Sequence, residues 1–219
     1  SQHDRDGVAR LQLLERRLFA VLHPSPGSDE VRAALADALQ FALELSRHAN
    51  DLELRERTIE LRTRYGRALR LAGETAAARD MLRTALDEQA ALRAEVASPE
   101  LWITRRRVLV LELAHAEATL GMTDAVLQRL DERLALVDNE DWIGKLEVTR
   151  LLIEFAKGPL ARDRERLLAR AREVVQMAIE ISDVVARNNT AATPAYGRVY
   201  GTVWAGTVGG VLKCRCSLY

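Results

Sequence analysis

The run Tyr65-Gly66-Arg67-Ala68-Leu69-Arg70-Leu71-Ala72-Gly73, followed by Ala78, Leu82, Ala85 and Leu86, constrains this chain more than any other segment. Apolar residues at three- and four-residue spacing on both sides of a glycine predict two packed helices and the turn between them. Length and composition agree. The 219 residues suit one or two compact domains, and the 48% of hydrophobic residues with only 5% aromatics favours helices packed by Leu, Ala and Val ridges over an aromatic-lined substrate pocket.

The same segment resembles one tetratricopeptide repeat. The resemblance implies that Gly66 lets the neighbouring helix approach closely and that Ala78 does the same from the partner helix. Leu69 and Leu82 would fill the space between them, Gly73 would turn the chain, and Ala85 would meet the next repeat. Arg62 stands where the family favours a large aromatic residue, and Ala90 where it favours proline. The second helix is therefore expected to run beyond the usual stop. The family's architecture is one used for binding polypeptides, and it specifies no ligand.

Read along its length, the chain predicts about eight helices. The first covers about Asp6 to Leu22, with Leu11, Leu14, Leu18 and Val21 on one face, and ends at His23-Pro24-Ser25-Pro26-Gly27. Ser28, Asp29 and Glu30 supply a cap and an acidic first turn for a second helix to about His48. A third runs to Gly73, a fourth from Thr75 to about Val96, a fifth to Gly121 and a sixth from Thr123. Ala114 precedes Gly121 as Gly66 precedes Gly73, and Leu130 follows it as Leu82 does. The echo fails at Glu117, where Leu69 stood, and at Arg133, where Ala85 stood. A seventh helix around Trp142 to Phe155 and an eighth from about Pro159 to Ala186 complete a third pair. Helices near twenty residues point, by analogy of fold, to the longer-helix solenoids of bacterial regulatory proteins.

From Arg187 the periodicity stops, so residues 1–186 are expected to form the helical domain and 187–219 a linker and tail. The tail is rich in Gly, Thr and Val. Alternation through Val199, Gly201 and Val203 reads as strand, and Gly209-Gly210 as a hairpin turn.

Charge and motifs exclude several classes of function. Thirty-two basic residues balance 32 acidic ones, so no overall field recruits nucleic acid or an acidic membrane. No apolar run reaches the ~18 to 20 residues of a membrane span, and no basic-then-apolar leader opens the sequence, which reads as cytoplasmic. Glu112 and His115 have the Glu-x-x-His spacing of carboxylate-bridged metal bundles but lack the further ligands. Cys214 and Cys216 are two thiols beside Arg215, too few for a zinc site. No phosphate-binding loop, dinucleotide fingerprint or nucleophilic set is present, so neither a cofactor nor catalysis is expected.

Arg62, Arg64, Arg67 and Arg70, with Arg105-Arg106-Arg107, are accompanied by Glu56, Glu60, Glu74 and Asp80, which predicts an ion-paired, solvated face. The reading of the whole is an all-α, antiparallel array of helix pairs, a short solenoid similar to the tetratricopeptide family. Its expected partner is a protein or peptide, held in a groove by Arg64, Arg67, Arg105 and Arg106, with Tyr65 or Trp102 as an anchor. The alternative is a precursor whose tail is modified at Thr202, Thr207, Cys214, Cys216 or Ser217, or cleaved near Gly209-Gly210.

Overall fold

A computed structural model describes residues 27–48, 51–96, 98–137 and 141–188. They form helices α1 (Asp29–His48), α2 (Leu52–Leu71), α3 (Thr75–Leu92), α4 (Pro99–Thr119), α5 (Thr123–Ala135) and α6 (Trp142–Lys157), then a 3₁₀ turn (Ala161–Asp163) and α7 (Arg164–Asn188). No strand occurs among the described residues. The expected first helix, the strand-like tail and its hairpin lie outside them.

Capping chemistry sets most boundaries. The Ser28 hydroxyl accepts from the Val31 N–H at 3.4 Å, the Asp51 carboxylate from Glu53 at 2.9 Å and the Asp141 carboxylate from Gly144 at 2.9 Å. Ser98 caps α4, with Pro99 in its first turn. The α2 and α4 ends are built alike. Gly73 (φ +87°) and Gly121 (φ +75°) take the left-handed conformation. Glu74 N–H reaches back to the Leu69 carbonyl at 2.9 Å, as Met122 N–H does to Glu117 at 3.0 Å.

Three boundaries differ from expectation. Helix α3 stops at Leu92, and the chain turns there through a bond from Glu95 N–H to the Leu92 carbonyl at 2.9 Å. Helix α7 starts at Arg164 rather than near Pro159, because Leu160 first turns into the core, 2% exposed, and bonds back to Phe155. At its other end α7 continues to Asn188, beyond the expected Ala186.

Packing follows from small residues at the contacts. A Cβ on Gly66 would lie 2.6 Å from Leu82 Cγ and 3.4 Å from the Ala78 carbonyl oxygen, so α2 and α3 approach at a distance only glycine allows there. Leu82, Ala85 and Leu86 of α3 share one buried cluster with Ile59 of α2 and with Leu109, Val110 and Leu113 of α4. Ala114 and Ala118 of α4 pack with Val126 and Leu130 of α5, with Leu152 and Phe155 of α6, and with Leu167 and Val174 of α7.

Side-chain pairs give the helix directions. As the α2 partner advances from Arg55 through Arg62 to Gly66, the other partner retreats from Glu95 through Glu88 to Leu82, so α2 and α3 are antiparallel. From α2 to α4 the pairs advance together, Glu56 with Arg105 and then Arg70 with Glu112, so these two run the same way side by side. Pairs between α5 and α7, Asp124 with Arg166 and Asp131 with Arg170, likewise advance together.

Candidate binding face

Helix α4 lies between α2 and α6. It is tied to α2 by Glu112, whose two carboxylate oxygens take Arg67 at 3.4 Å and Arg70 at 2.8 Å, and by Arg105, which meets Glu56 at 3.0 Å. Its contact with α6 includes the His115 ring, edge-on to Phe155 at 5.2 Å and 85°.

Leu101, Thr104, Val108, Leu111 and His115 of α4 are spaced three and four residues apart and therefore aligned along one stripe, in which the first three are exposed, Leu111 is half-buried against the cluster shared with α6 and α7, and His115 is half-buried against Phe155. Leu101 is 44% and Val108 49% exposed, and Ile143 of the neighbouring α6 is 58% exposed. A helix whose opposite side holds Leu109, Leu113 and Ala116 in the core is thus apolar on both sides. The stripe is flanked by charge: Arg64 and Arg67 on α2, and Arg150 and Glu154 on α6.

The residues expected to form the site divide into two groups. Arg64, Arg67 and Arg105 reach the outward face. Arg64 pairs along its own helix with Glu60, Arg105 pairs across to Glu56, and Arg67 stays 56% exposed. Trp102 and Arg106 are instead built into the packing. Trp102 is 8% exposed, donates its ring N–H to the Gln89 carbonyl at 3.2 Å, and has Arg93 and Arg106 5.0 and 5.2 Å from its ring centroid. Arg106 also pairs with Glu132 of α5. Tyr65 is half-buried on the α1 side of α2, where it lines a cavity of about 330 Å³ with Leu39, Leu43 and Glu44. The face therefore gathers three of the six expected residues. Thr202, Thr207, Cys214, Cys216, Ser217 and the Gly209-Gly210 pair lie outside the described residues.

The expected ion pairs along the helices are mostly pairs between helices. Arg62 takes Glu88 of α3 at 2.9 Å, Arg70 takes Glu112 of α4, and Glu74 takes Arg32 of α1. The positions where the repeat pattern breaks are buried charges. Glu117 is 5% exposed and lies 3.7 Å from Arg129, while Arg133 is 7% exposed and meets Glu147 of α6 at 2.7 Å. Burial pushes the Glu117 carboxyl above the usual range and outweighs the opposing pull of Arg129, Arg79 and Arg83. Burial also lowers the His115 pKa, helped by the nearby Arg70 and opposed by Glu112 and Glu154.

Among the described residues no group of three or more His, Cys, Asp or Glu could hold a metal, and Glu112 is engaged by two arginines. No described helix is long and apolar enough to cross a membrane. Sequence reasoning placed Val108 and Leu111 with Leu113 in the apolar pattern of this helix and did not single out Leu101 or Arg150; the available signal was that α4 has apolar residues on more than one side. No family model matches the chain, and neither does any curated protein or solved structure.

Proposed function

We propose that the chain is a protein-interaction module and that it binds a polypeptide segment on the face formed by α2, α4 and α6. In this reading α2–α3 and α4–α5 are two repeats similar to tetratricopeptide repeats, stacked as the start of a short solenoid, and α6–α7 is a third, divergent pair. The observation that carries it is the pair of exposed apolar side chains on α4, Leu101 and Val108, with half-buried Leu111 in line with them, set between charged helices. An apolar stripe bordered by polar residues is the usual form of a polypeptide-binding surface. The two helix pairs share their turn geometry at Gly73 and Gly121, which supports a repeated unit.

The test is capture of partners by the intact chain and by a chain ending at Asn188, with Val108→Asp and Arg67→Glu as separate variants of each. Binding should survive the truncation, fall at least severalfold with either substitution, and leave the helical circular dichroism unchanged, since both side chains are about half exposed. A partner whose capture is indifferent to both substitutions removes the face from the function.

A further inference from the structure

The charges that border the α4 stripe select the chemistry of the partner. Most charged side chains on the outward strips of α2, α4 and α6 are already matched: Glu53 with Arg57, Glu60 with Arg64, Glu56 with Arg105, Glu112 with Arg70, and Glu147 with Arg133. Two cations beside the stripe are not fully matched. Arg67 on α2 shares Glu112 with the closer Arg70 and stays 56% exposed, and Arg150 on α6 is exposed with no carboxylate paired to it among the described residues. The remaining exposed charges are Glu154 and Lys157 on α6, and Glu100 in the first turn of α4. The residue is three positive against two negative, with the two arginines on opposite sides of Val108 and Leu111.

From this placement we infer that the segment bound on this face is an acidic amphipathic helix. Its apolar side chains lie on Leu101, Val108 and Leu111, and its carboxylates on the two flanks meet Arg67 and Arg150. The inference rests on the interaction-module reading and adds the partner's chemistry to it. Leu101, Thr104, Val108, Leu111 and His115 recur at helical spacing along about 21 Å. Contacts along the stripe recur about every 5 Å, the spacing a partner helix lying along it presents, whereas same-face residues of an extended strand lie about 6.7 Å apart and drift out of step over that length. The exposed arginines gain charge-assisted hydrogen bonds from such a helix that neither makes fully in the free chain.

The decisive experiment uses synthetic helical peptides of about 18 residues with Leu at helical spacing and either Glu or Lys on both flanks, titrated against the intact chain by fluorescence anisotropy. The Glu peptide should bind about tenfold or more tightly than the Lys peptide, with an affinity that falls as salt rises. The doubly reversed variant Arg67→Glu with Arg150→Glu should invert that preference, and Val108→Asp should abolish binding of both peptides. Inversion cannot result from misfolding, because the same variant must then bind the Lys peptide. Equal binding of the two peptides, or preference unchanged by reversal, overturns the acidic-helix assignment. So does failure of both peptides together with a self-association that Val108→Asp removes, which would make a second copy the occupant. If both peptides fail while Val108→Asp still prevents capture of a natural partner, the partner chemistry is wrong and the interaction module stands. If capture is also indifferent, both fall.

Discussion

At the scale of residues, two titrating groups in the α4 packing respond to pH in opposite directions. The folded-state pKa of Glu117 is raised, so the charged form weakens the fold, and stability from this group grows as pH falls through that value. Glu117→Gln should therefore melt higher than the parent at pH 7, with the gap closing as pH falls toward the ordinary 4.5. The pKa of His115 is lowered, so folding favours its neutral ring; that contribution is complete above 6.5 and is lost as pH falls below it. His115→Gln should lose less stability than the parent over the first units below 6.5, and thermal melts across a pH series of the three proteins would check both signs. Packing gives a third expectation. Gly66→Leu and Ala78→Leu each force atoms into the α2–α3 contact and should cost about 1 to 3 kcal/mol, while Asp87→Ala on the exposed side of α3 changes stability within about 0.5 kcal/mol. Denaturant titration that found all three alike would remove the close contact from the account of stability.

At the scale of elements, the matched turns after α2 and α4 make a separate prediction. An added Cβ at Gly73 or Gly121 meets nothing within 4 Å, so substitution there is opposed by backbone conformation alone. Gly73→Ala and Gly121→Ala should each cost about 1 kcal/mol, and their effects should add in the double variant. This is also where the sequence was most legible. Left-handed glycines, a serine cap before proline and regular leucine spacing are local signals, and they placed α1, α2, α4, α5 and α6. The miss at α7 was local too. Pro159 reads as a first-turn residue, but burial of Leu160 takes precedence and delays the helix to Arg164. The candidate face was half legible. Arg64 and Arg67 were visible in one group of arginines and Arg105 in another, but the pairing of Arg67 with Glu112 and of Arg105 with Glu56 depends on which helices become neighbours. The α4 stripe was hidden because Leu101 and Val108 are chemically the same as Leu109 and Leu113, which are core. Composition cannot separate two sides of a helix that are both apolar.

At the scale of the whole molecule, apolar clusters and ion pairs between helices tie α1 through α7 into a chain of neighbours. These contacts lie within residues 29–188, so the helical part should stand without the tail. A chain ending at Asn188 should keep its helical circular dichroism and a cooperative melt within a few degrees of the full chain. A large loss of either would show that the tail completes the fold. The position of Trp102 offers a way to follow one junction in isolation. Its indole sits where α3 meets α4, held by the Gln89 carbonyl and flanked by the guanidinium groups of Arg93 and Arg106. The other tryptophans are Trp142 and Trp204. With those two replaced by phenylalanine, the remaining emission would report separation of α3 from α4, and its wavelength would shift to the red as that seam alone took up water.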